Sequence, residues 1–158
     1  MIGQNSAAYK IITQEVKTMN ALEFKTFKET GKKISMVTCY DYSMARIIEK
    51  STVDAVLVGD SLSMVVYGYP TTLYATTEMM AQHTAAVSRG LTTKFIIADM
   101  PFLTFRKGIV HSMETVEALM RSGAHGVKCE GVDGHETDIE SIVKSGIPVM
   151  GHLGLTPQ

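Results

Sequence analysis

Val56-Leu57-Val58-Gly59-Asp60-Ser61-Leu62-Ser63-Met64 is the stretch that decides how this chain folds. Ala55 to Val58 is apolar and rich in β-branched residues, the signature of a buried strand. The run stops at Gly59. It then presents a carboxylate, Asp60, beside a hydroxyl, Ser61. A lone Asp after a strand is ordinarily a turn residue or a helix N-cap. The arrangement recurs along this chain, which makes Asp60 a candidate site residue as well.

Working outward, four more apolar runs each stop at a polar residue. Ile34 to Tyr40 ends at Asp41, and Lys94 to Ala98 ends at Asp99. Gly126 to Glu130 ends in its own carboxylate before Gly131, and Ile147 to Gly151 ends at His152. Helical segments are expected around and between them. One spans 20–30, capped by Asn20 and stopped by Gly31. Others run from Tyr42 to Lys50, from a Thr77 cap to Arg89 with Gly90 as the stop, from about Ser112 to Gly123, and from Thr137 to Ser145 before Gly146. Tyr67–Thr77 and Pro101–Gly108 read as loops of the kind that carry function. Residues 1–19 form an N-terminal arm, or a helix over 7–19.

Alternating strands and helices indicate an α/β fold, with ligands at the C-terminal ends of parallel strands. A doubly wound sheet and a (β/α)8 TIM barrel both fit. No glycine-rich dinucleotide fingerprint follows the first strand. Polar residues spread over successive strand ends favour the barrel. Residues 20–158 would supply about its first five strands. A whole barrel takes roughly 250 residues and at least about 200. A truncated chain is therefore expected, with two open sheet edges.

The composition is that of an ordinary globular protein: 158 residues, 45% hydrophobic, formal charge −1. No basic excess argues for nucleic acid. No run of about 18 apolar residues argues for a membrane span, and no signal-peptide core opens the chain. Cys39 and Cys129 lie far apart in strand-like runs and read as reduced core residues of a cytoplasmic protein. His83 reads as a helix residue; His111, His125 and His135 read as surface or loop residues.

Side chains alternate along a strand. Lys128 and Glu130 therefore share a face and Cys129 points away; Ile97 and Asp99 likewise share a face. Charges on an apolar strand are costly unless paired or bound. A buried Lys–Glu ion pair is the plainest account. If Asp60, Asp99, Lys128 and Glu130 converge, three carboxylates meet one ammonium. Carboxylates at close range raise one another's pKa, and a hard divalent cation such as Mg2+ or Mn2+ relieves that. His152, at a strand end, is a separate candidate.

Six segments then match a known family. They are Thr38-Cys39-Tyr40-Asp41-Tyr42-Ser43, Val58-Gly59-Asp60-Ser61-Leu62, His83-Thr84-Ala85-Ala86-Val87, Ala98-Asp99-Met100-Pro101-Phe102, Val127-Lys128-Cys129-Glu130-Gly131 and Gly151-His152-Leu153-Gly154-Leu155-Thr156-Pro157-Gln158. Over about Asn20 to Gln158 the chain resembles ketopantoate hydroxymethyltransferase (3-methyl-2-oxobutanoate hydroxymethyltransferase). The resemblance implies a (β/α)8 barrel assembled as a homodecamer. It implies transfer of a hydroxymethyl group from 5,10-methylenetetrahydrofolate to α-ketoisovalerate, giving ketopantoate for pantothenate biosynthesis, through a Mg2+-stabilised enolate. It implies Asp60, Asp99 and Glu130 around the metal, and Asp60, Ser61, Asp99 and Lys128 around the keto acid. The family's proton-accepting glutamate lies in the barrel's second half, beyond Gln158.

Two positions depart from the family pattern: Ser63 where a glycine is usual, and Tyr74 where a proline is usual. Both concern loop shape. Two other readings are weighed. One is a half-barrel that binds metal and keto acid without catalysis. The other is a Mg2+-dependent keto-acid C–C lyase of the isocitrate-lyase type, which would need a loop cysteine.

Overall fold

A computed structural model of the chain describes residues 19–158. The expected helix over 7–19 falls, apart from Met19, outside the described residues. Helix α1, Ala21–Thr30, opens the fold. Its capping box is complete: the Asn20 side chain accepts from the Leu22 and Glu23 amides, and the Glu23 carboxylate accepts from the Asn20 amide. Gly31 ends the helix at φ 72°, a left-handed conformation that suits glycine.

Five strands follow: β1 Met36–Thr38, β2 Ala55–Val58, β3 Phe95–Asp99, β4 Gly126–Glu130 and β5 Val149–His152. All pair in parallel, in the order β1-β2-β3-β4-β5. A doubly wound sheet would place later strands on both sides of the first. The sequential order has no such switch point. It is consistent with the first five units of a TIM-like barrel. Among the described residues the sheet is open, with β1 and β5 as its edges. Apolar Met36 and Val37 on β1 are about 40% and 39% exposed, as expected where a strand lacks a neighbour.

Between the strands run α2 Tyr42–Ile48, α3 Leu62–Val65, α4 Thr77–Gly90, α5 Ile109–Arg121 and α6 Glu136–Lys144. Three expectations change here. Thr76, not Thr77, caps α4, with its hydroxyl accepting from the Met79 amide. Gly90 belongs to α4 and does not stop it. A Cβ there would lie 2.6 Å from that of Ala45 on α2, so the glycine lets the two helices touch. And α5 begins at Ile109, three residues before Ser112, behind Gly108 at φ 90°. The loop after β2 is also more ordered than expected, holding α3 and a 3-10 turn at Thr72–Tyr74.

Strand alternation sorts the core into two faces. Val56, Val58, Ile96, Ala98, Val127 and Cys129 join the large core under the helices. Ala55, Phe95 and Ile97 point the other way, where Phe24 of α1 packs on them with Leu57 and Met150. The rings of Phe24 and Phe95 meet edge to face, centroids 4.9 Å apart. This inner face continues toward the C-terminal strand ends, and there its chemistry changes.

Candidate active site

Pairing register assembles the polar end of the inner face. Asp99 on β3 is opposite Lys128 on β4, and Glu130 on β4 is opposite His152 on β5. Laterally paired residues point to the same side, so each pair meets directly. Lys128 Nζ donates to Asp99 Oδ1 at 2.5 Å. His152 Nδ1 lies 2.6 Å from Glu130 Oε1. The lysine's partner is therefore Asp99 across the strands. The Lys128–Glu130 pair considered from strand alternation does not form.

The loop after β2 brings in the remaining groups. The Asp60 amide donates to Asp99 Oδ2 at 3.0 Å. The N-cap position of α3 falls to Ser61, and no side-chain hydrogen bond caps that helix. The Ser61 hydroxyl instead meets Tyr40 Oη at 2.9 Å. Gly59 makes room for it: a Cβ there would lie 2.9 Å from Ser61 Oγ and 3.5 Å from Asp99 Oδ2. Asp41, the corresponding acid after β1, spends its carboxylate on capping α2, accepting from the Met44 amide at 2.8 Å. Five polar strand ends thus divide into four site residues and one cap.

Gln158 closes the group. Its side-chain amide donates to Asp60 Oδ2 at 2.8 Å and to the Met100 carbonyl at 3.1 Å, and its backbone amide donates to Glu130 Oε2 at 3.2 Å. Beside it, a cleft of about 210 Å³ runs outward past Glu130, Gly131 and Thr156 to Arg106 and Phe102. Sequence reading gave no role to Tyr40 or Gln158, though both sit in quoted motifs. It kept His152 apart, and the fold joins it to Glu130. His83 is more than a helix residue, for its ring bridges Tyr40 O and Tyr67 Oη. His125, expected at the surface or in a loop, lies in the loop before β4, half-buried, and its Nδ1 accepts from the Ile96 amide. Burial lowers its pKa.

Asp60, Asp99, Lys128 and Glu130 are all buried. Burial pushes the Asp60 carboxyl above its ordinary range, outweighing the Gln158 hydrogen bond and the Lys128 charge. Burial likewise pushes Asp99 up to about 6 despite the ammonium on it. Ionised, these carboxylates carry more negative charge than one lysine offsets. Both cysteines are buried and free. Burial, and then the Asp99 charge, push Cys129 up to about 12; burial raises Cys39 too. Cys39 lies just beyond β1, its amide donating to the Leu57 carbonyl at 2.9 Å. Neither thiol is the exposed, readily ionised nucleophile that a cysteine-dependent lyase needs.

The family model for ketopantoate hydroxymethyltransferase matches residues 18–158. The chain belongs to the ketopantoate hydroxymethyltransferase family. Among its relatives, 3-methyl-2-oxobutanoate hydroxymethyltransferase of Coxiella burnetii (strain RSA 493 / Nine Mile phase I) is 60% identical over 141 residues, 89% of this chain and 53% of the relative. That of Bdellovibrio bacteriovorus is 55% identical over 137 residues, 87% of this chain and 52% of the relative. The chain therefore spans about half the length of the curated relatives it matches. In fold it is similar to 2,3-dimethylmalate lyase, a PEP mutase/isocitrate lyase superfamily member. The TM-score is 0.62 at 20% identity, over 82% of this chain and 51% of the other.

The family implies a divalent cation, and the donors can be tested for it. All are oxygens, which suits Mg2+. Asp60 and Asp99 adjoin, and burial holds both above their ordinary range, so a cation there would relieve under-compensated charge. Glu130 is engaged through both oxygens, by His152 and by the Gln158 amide, and so is Asp99, by Lys128 and by the Asp60 amide. Among the described residues no three His, Cys, Asp or Glu side chains are grouped closely enough to hold a metal. The fit is one of donor type and charge, with Asp60 and Asp99 as the adjoining carboxylates and Glu130 adding charge beside them. No helix among the described residues is long and apolar enough to cross a membrane.

Proposed function

We propose that this chain carries the keto-acid half of a hydroxymethyl transfer from 5,10-methylenetetrahydrofolate to α-ketoisovalerate, giving ketopantoate, a step of pantothenate biosynthesis. The supporting observation is the buried Lys128–Asp99 pair between Asp60 and Glu130 at the strand ends, in a chain of this family. Asp60 and Asp99 would hold Mg2+, which when bound supplies Lewis-acid polarisation of the keto acid's oxygens.

The chain's own groups have separate tasks. Lys128 places a desolvated positive charge where the keto oxygen becomes negative as C3 loses its proton. Asp99 holds that ammonium in place. The Ser61 hydroxyl donates to the substrate carboxylate. The resulting enolate carbon bonds to the folate's one-carbon unit, that carbon's two C–N bonds break, water supplies the hydroxyl, and tetrahydrofolate leaves with two protons, one from C3 and one from water. The proton acceptor is assigned outside this chain, in the part its relatives carry beyond the match. A homo-oligomer, with the family's decamer as its full form, and a cytoplasmic location belong to the same proposal.

The test is exchange of the C3 hydrogen of α-ketoisovalerate in D2O with Mg2+, beside calorimetric binding of the same keto acid. Metal-dependent exchange that Asp60→Asn abolishes would support the enolate step. Binding without exchange is the result expected when the proton acceptor lies in the part the relatives carry beyond the match, and it would make this chain a keto-acid-binding half without catalysis of its own. No binding by the folded chain would overturn the proposal.

A further inference from the structure

We propose that Tyr40 is a positioning residue that orients the Ser61 hydroxyl for the keto acid; this rests on the function proposed above. The two hydroxyls are 2.9 Å apart. Either could donate. A phenol is the stronger acid, so the favoured arrangement has Tyr40 O–H donating to Ser61 Oγ. That leaves the Ser61 proton for an acceptor in the crater, and a donor that is itself accepting a hydrogen bond is polarised toward donating.

Three features hold the pair in this arrangement. Ser61 stands at the N-cap of α3 with no capping bond from its side chain, so its hydroxyl is free for other work. Gly59 leaves the space beside Ser61 Oγ empty. Tyr40 is anchored from outside the crater by His83 on α4, whose Nδ1 lies 2.5 Å from the Tyr40 carbonyl oxygen. A carbonyl only accepts, so Nδ1 carries the proton. Nε2 is then the acceptor for Tyr67 Oη, 3.0 Å away. The chain from Tyr67 through His83 thus fixes the backbone on which the Tyr40 phenol stands. A tyrosine serving packing alone has no need of a hydroxyl aimed at a site serine.

The experiment is a double-mutant cycle on the 158-residue chain, with α-ketoisovalerate and Mg2+ as the calorimetric probes. Tyr40→Phe keeps the ring and removes one hydrogen bond. It should weaken keto-acid binding roughly 3- to 10-fold, leaving Mg2+ affinity and Tm unchanged. In a Ser61→Ala background the same substitution should change nothing. An equal loss in both backgrounds, or a Tm falling along with both affinities, would show a structural role and overturn the proposal. Unchanged keto-acid affinity in Tyr40→Phe would overturn it too, leaving the assigned function standing. If the wild-type chain does not bind the keto acid, both fall together.

Discussion

The inner face of the sheet has two ends, and they differ in kind. At the N-terminal ends of the strands, Ala55, Phe95 and Ile97 are covered by Phe24 of α1. An apolar groove of about 450 Å³ lies there, lined by residues such as Ala21, Ile34 and Gly126. Two residues further along the same strands, Ile97 gives way to Asp99 and Gly126 to Lys128. The strands, the pairing and the pleat are the same. One end is built for stability, and the other concentrates charge at a cost the fold must offset.

Two substitutions of similar stability cost would break that division if it is wrong. Phe95→Ala at the apolar end should cost about 3–5 kcal/mol through lost burial and a cavity. Keto-acid binding measured below its Tm should survive. Lys128→Met at the charged end should also cost about 3–5 kcal/mol at neutral pH, because Asp99 is left buried without its partner. Binding should be lost with it. Denaturant melts paired with calorimetry separate the two. Survival of binding in Lys128→Met would remove the lysine from the site.

The pH dependence of stability sharpens the contrast. Asp99 titrates near 6 in the fold against 3.8 ordinarily. A raised carboxyl favours the folded state while protonated. Its contribution is therefore present below about pH 4 and is lost as the pH rises through 6. Without metal, stability should fall by roughly 3 kcal/mol across that window from this group. Asp99→Asn should flatten the curve there, and an unchanged slope in the variant would place the titration elsewhere. The smallest effect belongs to the apolar end. Asn20→Ala removes the α1 cap and should lower stability by about 1 kcal/mol, with no change in keto-acid affinity.

Much of this was legible from residue order. The strand runs, their polar ends and the shared face of Lys128 and Glu130 follow from a period of two, which is local. The parallel sheet with flanking helices follows from alternation. Element ends were less legible. Gly90 reads as a helix stop, but its role is to let α4 approach Ala45. Asp41 and Asp60 look alike in sequence, and only their surroundings separate a cap from a site residue.

By itself the sequence determined the family, the strand-and-helix order, and which residue types reach the strand ends. These depend on local periodicity and on motifs that stay intact along the chain. Tertiary structure alone decided the partners. Lys128 pairs with Asp99 and His152 with Glu130 because the β3–β4–β5 register sets them side by side. Gln158 reaches Asp60, 98 residues away in sequence, and Tyr40 reaches Ser61. Register and long-range closure depend on how whole elements pack, and no local pattern in the sequence encodes a distance between them.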